Sequence, residues 1–407
     1  MKNSYLQIRE FCEVFDGPHA TPTKTDKGPF YLSISSLENG KLDLNKSAHL
    51  SENDFNKWTK RVTPRHGDLL FSYETRLGEA ALMPDGIKAC LGRRMGILRP
   101  EPAKVLPEFL LYSYIAPEFQ NVIVANTITG ATVDRISLTD LPNFVMRLPP
   151  LDEQRRIVSV LTALDAKIEL NQRINAELEG MAKLLYDYWF VQFDFPMTAV
   201  QAAALGKPKL TGHPYRASGG KMIYNETLKR DIPEGWDVCN VGDVLAKELR
   251  TKNVLNSEIA DQGRIPVIDQ GSAFICGFTD DEDSAIKDTP KIVFGDHTRI
   301  LKFVNFPFAR GADGTQILTS RESRLPQHLF YYQLLSVDLS NYGYARHFKF
   351  LKEQKMILPD QDSANAFERA AECIYENIKN NIFQNQELTQ LRDWLLPMLM
   401  NGQVTAG

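Results

Sequence analysis

Residues 151–190 read LDEQRRIVSVLTALDAKIELNQRINAELEGMAKLLYDYWF. The stretch holds no proline and a single glycine, Gly180, and it follows the helix-stopping pair Pro149-Pro150. Stepped at alternating intervals of four and three, it presents Ile157, Leu161, Leu164, Ile168, Asn171, Asn175, Leu178, Ala182, Leu185 and Trp189. Only the two asparagines in that series are polar. An apolar period of 3.5 residues is the seam of a coiled coil. At 1.5 Å per residue, a helix of this length is a rod of roughly 60 Å, too long for one face of an ordinary globular helix.

The seam occurs again 210 residues later, as Phe367, Ala371, Ile374, Ile378, Asn381, Asn385, Leu388, Arg392, Leu395 and Leu399. Both asparagines recur in place, and Arg392 is the one misfit. The chain therefore carries two related long helices, each closing one half of the sequence. Parallel pairing would force the connection to run back along the whole rod, so antiparallel pairing is expected. Centred between Asn171 and Asn175, such a pair would oppose Asn171 with Asn385 and Asn175 with Asn381. A central polar layer fixes register, because sliding would bury unpaired amides against leucine.

The chain has 407 residues, 43% hydrophobic and 24% charged, which is ordinary for a globular protein of two or three domains. No apolar run approaches a membrane span, and MKNSYLQIREF lacks an apolar signal-peptide core. Cys12, Cys90, Cys239, Cys276 and Cys373 are scattered, with no CxxC pair. These features lead us to expect a cytoplasmic protein with reduced thiols and no structural zinc. The net charge of −4 argues mildly against a chain that wraps nucleic acid unaided, without excluding a local basic face.

The fold class expected is α+β: two α/β domains in tandem, each followed by a long helix. The predicted boundaries are 1–147 for the first domain, 148–195 for the first helix and 196–221 for a partly mobile linker rich in Ala, Gly, Pro and Lys. The second domain is expected at 222–358, and the second helix with its tail at 359–407. Strand candidates in the first domain are 30–34, 69–73 and 95–98, with a short helix from Pro107 to Ile115. FSYETRL at 71–77 is echoed by FGDHTRI at 294–300, and LPEFLLY at 106–112 by LPQHLFY at 325–331. Few pairs are identical, so this is an old duplication or a shared fold. Two separated, non-identical readers related by a local two-fold suit a split, non-palindromic duplex site.

The chain resembles the specificity subunits of type I restriction–modification systems. The matching text is RLPPLDEQRRIV, NAELEGMAKLLYDYWFVQFDFP, SGGKMIYNETLKRDIPEGW and LRDWLLPMLMNGQV, with VFDGPHATP and HGDLLFS fitting the same pattern. The resemblance implies two target-recognition domains, each reading one half of a bipartite double-stranded DNA site. It also implies helices that set the gap and dock two methyltransferase subunits. S-adenosylmethionine, ATP and Mg²⁺ would then belong to those subunits and to translocase–nuclease (restriction) partners. Two departures stand out: a join at 196–221 longer than the family's, and an early second helix made polar by Asn377, Lys379, Asn380 and Asn381.

The residues of this chain supply no chemistry of their own. There is no Asn-Pro-Pro-aromatic tetrapeptide, no Rossmann-type glycine loop and no GxxxxGK[ST] phosphate loop. Pro84-Asp85-Gly86-Ile87-Lys88 is a Pro-Asp-Gly turn that lacks the second carboxylate of a nuclease site. The seven histidines form no metal-spaced pair.

Candidate DNA contacts are Thr75-Arg76 and Thr298-Arg299, which follow strand candidates in both halves. Arginine can grip a guanine edge, and threonine a phosphate or a thymine methyl. The competing reading is a turn whose arginine pairs with Glu74 or Asp296. Arg93, Arg94 and Arg99 flank a strand candidate, with Arg310 expected in the similar place of the second half. Tyr344, Arg346, His347 and Lys349 form a basic-aromatic run that corresponds to the stretch from Thr127 to Arg135, including Thr129 and Thr132. His19, Thr21 and Lys24 lie in a turn-rich loop. The cluster of Tyr186, Tyr188, Trp189, Phe190 and Phe193, with Trp394 on the second helix, serves either packing or methyltransferase docking. The competing class is a coiled-coil adaptor joining two protein-binding domains without DNA contact.

Overall fold

The computed structural model describes residues 4–130, 133–248, 251–311, 313–343 and 346–405. It divides into two compact units, one formed by 1–169 with 385–407 and the other by 170–384. Among the described residues no helix is long and apolar enough to cross a membrane.

The first unit runs β1 (Ser4–Gln7), β2 (Cys12–Asp16), β3 (Thr25–Tyr31), α1 (Glu52–Trp58), β4 (Leu69–Ser72), β5 (Ala80–Leu82), β6 (Ala89–Cys90), β7 (Met95–Pro100), α2 (Pro107–Ile115) and β8 (Val145–Leu148), and then enters the long helix α3 (Leu151–Tyr186). An antiparallel sheet is ordered β2-β7-β4-β5. β3 pairs in parallel with β6, and β1 antiparallel with β8. All four residues of β4 are buried, as expected of a strand covered on both faces. Pro107 opens α2, where a missing N–H costs nothing. Phe109, Leu110, Ile157, Leu161, Leu396 and Leu399 share one core.

The second unit repeats the plan with β9 (Asp237–Asn240), β10 (Ile265–Ile268), β11 (Lys291–Gly295), β12 (Leu301–Val304), β13 (Phe308–Arg310), β14 (Thr315–Leu318), α4 (Gln327–Leu335), β15 (Lys355–Leu358) and the long helix α5 (Gln361–Met400). β11 lies between β12 and β14 as β4 lies between β5 and β7. β10 pairs in parallel with β13, and β9 antiparallel with β15. The duplication is thus one of topology as well as of scattered sequence.

α3 and α5 pack against each other in antiparallel fashion. In the second unit, Asn381 Nδ2 donates to Asn175 Oδ1 at 2.8 Å and Asn171 Nδ2 to Gln384 Oε1 at 2.7 Å. In the first unit, Asn385 Nδ2 donates to the Ile168 carbonyl at 3.3 Å. Arg392, the misfit in the seam, bonds Asp165 Oδ1 through Nη1 at 3.0 Å. α5 ends on Gly402 at φ 77°, with Gln403 N–H reaching back to the Met398 carbonyl. That is a left-handed cap that glycine adopts without strain. The Arg147 guanidinium caps the Leu399 and Met400 carbonyls.

Two expectations change. α3 ends at Tyr186 and continues as a wider turn over Asp187–Val191. The widening turns both Trp189 and Phe190 inward onto Phe367, at centroid distances of 6.1 and 5.3 Å. The segment 196–221, expected as a partly mobile linker, is folded. Thr198 and Gln201 cap a short helix, Ala199–Ala204. Phe195 stacks between Tyr215 and Trp236 at 4.6 and 4.9 Å. Short elements punctuated by glycine and proline have the composition of a linker, and three aromatic rings decide otherwise.

Candidate nucleic-acid interface

The chain leaving β4 makes two backbone hydrogen bonds at Tyr73. Its N–H donates to the Arg94 carbonyl at 3.1 Å, and its carbonyl accepts from Ile136 N–H at 2.9 Å. Thr75 N–H adds a bond to the Asp134 carbonyl. Together these gather Thr75, Arg76, Arg93, Arg94 and Arg135 into one surface patch. The chain leaving β11 repeats the arrangement at Asp296, whose N–H donates to the Gly314 carbonyl at 2.8 Å and whose carbonyl accepts from His347 N–H at 2.9 Å. Thr298, Arg299 and Arg346 thereby take the places of Thr75, Arg76 and Arg135.

Side chains in the first patch divide into held and free. Arg94 bonds Glu74 through Nε at 2.9 Å and Thr75 Oγ1 through Nη1 at 3.0 Å. Arg76 bonds Glu79 at 3.1 Å rather than Glu74. Arg93 and Arg135 are exposed and meet no carboxylate among the described residues. Thr75 at φ 72° and Arg94 at φ 74° both hold left-handed backbone. That conformation costs on the order of 1 kcal/mol for a non-glycine residue and gathers at functional positions. Gly314, at φ 89°, fills Arg94's place in the second unit without that cost.

Arg99 stands apart. It lies at the far end of β7 from Arg94, about 16 Å away at strand spacing. Its guanidinium grips both oxygens of buried Asp68, at 2.8 and 2.7 Å, beneath the Phe15 ring. It is a folding contact, not part of the patch.

In the second unit Thr298 Oγ1 donates to the Gln270 carbonyl at 2.7 Å, and Arg299, at φ 63°, bonds the Leu339 carbonyl at 3.2 Å. Arg346 and Lys349 are exposed. His347 is 3% exposed, with its two ring nitrogens facing the Asp296 and Tyr342 carbonyls at 3.0 and 3.2 Å. Burial makes it a residue that shapes the loop rather than one that reaches a ligand. Arg310 is not at the place of Arg93 and Arg94. It ends β13, in register with Ile268, where β6 carries Cys90, and it bonds the Thr251 carbonyl. Tyr344 and Thr132 lie outside the described residues.

Arg135, the counterpart of Arg346, is not among the contacts named from the sequence. The signal was present, since each precedes the Leu-Pro at its helix start by nearly the same interval, to Leu148 and to Leu358. Lys57, Lys60 and Arg61 are also not among those contacts. With His19, Trp58 and Asp16 they line a crevice of about 380 Å³. The crevice joins the patch through Tyr73, whose hydroxyl donates to Asp16 Oδ1 at 3.1 Å. Burial, with the Asp16 carboxylate beside it, pushes the Tyr73 phenol up and keeps that proton in place. His19 bonds the other oxygen of Asp16. Among the described residues no cluster of three or more His, Cys, Asp or Glu side chains is placed to hold a metal.

Of the aromatic cluster, Tyr186, Trp189, Phe190 and Phe193 are buried packing residues. Tyr188 and Trp394 are exposed, at 39% and 56%.

The two units thus share one α/β plan, and each carries a loop patch at the same place in that plan. Residues 3–180 match the family described as type I restriction modification DNA specificity domain. The chain is similar to type I restriction–modification specificity subunits. It is 23% identical to the HindI specificity subunit of Haemophilus influenzae, over 92% of this chain and 95% of that one. It is 24% identical to the MjaIX specificity subunit of Methanocaldococcus jannaschii, over 88% and 82%. The fold is that of the S subunit from M. genitalium, with a TM-score of 0.55 at 15% identity, covering 98% of this chain and 96% of that structure.

Proposed function

We propose that this chain is the DNA-specificity component of a type I restriction–modification complex. Each unit reads one half of a bipartite, asymmetric duplex site through its loop patch, and the antiparallel helices set the gap. The observation that carries this reading is the repeated bonding at Tyr73 and Asp296, which builds the same patch twice from different side chains. Equal patches on one scaffold suit one kind of ligand, and different side chains suit two different half-sites. In the first unit Arg93, Arg94 and Arg135 supply guanidinium groups, with Lys57, Lys60 and Arg61 along the adjoining backbone. In the second, Arg299 and Arg346 supply guanidinium groups and Lys349 an ammonium.

The chain itself carries out no reaction in this proposal. S-adenosylmethionine, ATP and Mg²⁺ are used by methyltransferase and restriction partners in the cytoplasm. The helices offer matching docking places for two methyltransferase subunits. α3 exposes Met181 and Leu184, and α5 exposes Leu391 and Trp394, again 210 residues on. Exposed apolar side chains repeated at matched positions suit two copies of one partner. The test is to express the complex and map methylated adenines in host DNA. A split, non-palindromic motif is expected; methylation with no such motif would overturn the proposal.

A further inference from the structure

One segment of the shared plan carries opposite charge in the two units. It lies between the strand that makes the parallel pair and the buried central strand: between β3 and β4 in the first unit, and between β10 and β11 in the second. From Lys57 to His66 the first unit places Lys57, Lys60, Arg61 and Arg65 there, and no carboxylate. From Asp280 to Asp288 the second places Asp280, Asp281, Glu282, Asp283 and Asp288 there, with Lys287 as the one cation.

Both segments hold the same loop. Cys12 pairs with Pro100 in the first unit, and Leu245 with Ser320 at the matching place in the second. Seven residues on from these pairs stand His19 and Lys252. In the first unit Arg61 Nη1 donates to Asp16 Oδ2 and to the Gly17 carbonyl, both at 3.2 Å. In the second, Lys252 Nζ donates to Asp281 Oδ2 at 2.8 Å. The contact is the same with its charges exchanged: the segment brings the cation in one unit and the carboxylate in the other.

The charge left over differs in sign. Lys57 and Lys60 are exposed and meet no carboxylate among the described residues. The carboxylates of α1 are taken, Glu52 by Lys88 and Asp54 by the Ser51 hydroxyl. Asp16, inside the crevice, is engaged by Tyr73, His19 and Arg61 together. In the second unit Arg264 pairs with Asp280 and Glu282, while exposed Asp283 meets no cation among the described residues. The first unit's crevice also shares one end of the sheet with its patch. Asp16 stands opposite Gly96 on β7, and Met95 opposite Ser72 on β4, so crevice and patch lie two strand spacings apart, about 10 Å. That is about three base-pair rises along a duplex.

We infer that the first unit also grips the sugar-phosphate backbone beside its half-site, with Lys57, Lys60 and Arg61 meeting phosphates at the crevice, and that the second unit has no such grip. Trp58 and Pro18 on the crevice wall take the intervening sugar. The matching carboxylates of the second unit repel phosphate. Attraction to the duplex that ignores sequence is therefore concentrated in the first unit, which anchors the DNA, while the second contributes through base reading.

The inference rests on the reading of the patches as half-site contacts, and the experiment separates the two. The assembled methyltransferase complex is titrated with a duplex carrying its methylated motif, by anisotropy from about 50 to 200 mM salt. Lys57→Gln and Lys60→Gln should each lower the slope of log affinity against log salt by about one, and together by about two. Lys57→Arg should keep the slope. Lys287→Gln, on the acidic segment, should leave it unchanged. Both lysines of the crevice are exposed, so the urea midpoint should not move. Single methylphosphonates remove one backbone charge at a time, and exchange of residues 1–147 shows which half of the motif belongs to the first unit. Methylphosphonates about three base pairs from that half should weaken binding by the wild type and not by the double variant. The matching positions beside the other half should be silent in both. An unaltered slope in the double variant would overturn the inference, and so would equal sensitivity to methylphosphonates beside both halves. Should the complex have no bipartite motif, the half-site reading fails, and the slope on duplex of arbitrary sequence decides for the crevice alone. A slope that falls in the double variant keeps the backbone grip, and an unchanged slope removes it.

Discussion

Arg94 and Gly314 show how one backbone position serves two purposes. Both sit at positive φ and accept the same kind of hydrogen bond, yet only the first carries a side chain. Arg94→Gly should change stability by less than about 1 kcal/mol, because relief of the left-handed strain offsets the lost contacts to Glu74 and Thr75. It should weaken binding to the first half-site by about 1–3 kcal/mol if the guanidinium reads a base edge. Urea unfolding and fluorescence anisotropy on the assembled complex measure the two. Asp68→Ala should do the reverse. It strands the Arg99 guanidinium and should cost about 3 kcal/mol of stability, seen as a lower urea midpoint. In the sequence Arg93, Arg94 and Arg99 look alike, since each is an arginine beside one strand. The strand's length separates them, and the carboxylate that claims Arg99 is 31 residues away in the chain. No local pattern announces such a partner, and the same is true of the burial of His347. Arg135 was legible, through its spacing to Leu148, once its counterpart Arg346 had been seen.

At the scale of elements, the long helices were written openly in their apolar period, and their ends less so. A period marks where a helix can run, whereas its stop depends on caps and on what the last turn meets. At the end of α5, Gly402 supplies the left-handed cap, and a Cβ there would lie 2.8 Å from Arg147 Nη2. Gly402→Ala should therefore cost about 1 kcal/mol or more, and thermal unfolding followed on the first unit's signal checks it. The asparagine layer behaves differently. Asn381→Leu leaves the Asn175 carbonyl without its donor and should destabilise by about 1 kcal/mol. Replacing both residues by leucine should recover or exceed wild-type stability while loosening register. A double-mutant cycle in urea separates these outcomes, and additive losses would remove the pairing argument. The segment 196–221 was illegible for the opposite reason: its order comes from rings brought together across the chain, not from any period.

At the scale of the whole molecule, the proposal of two independent readers on one ruler makes a joint prediction. Exchanging residues 1–147 for another family member's first domain should change one half of the methylated motif and leave the other half intact. Inserting about one helical turn near Asn171–Asn175, with a matching insertion near Asn381–Asn385, should lengthen the gap and leave both halves unchanged. Mapping of methylated adenines reads both experiments. Changes in both halves after the first exchange would refute independence.

The first unit needs residues 385–407, because Leu396, Leu399 and Met400 complete its core and Arg147 holds the end of α5. The second unit, 170–384, is continuous in the chain. On the ribosome the order of completion is therefore inverted. The domain made first cannot close its core until residues 385–407 emerge, roughly 12–48 s later at about 5–20 residues per second, while the domain made second is already whole. A message cut short before residue 385 would yield a folded second unit joined to an unfinished first one, with the apolar core of the first unit left open where Leu396, Leu399 and Met400 belong.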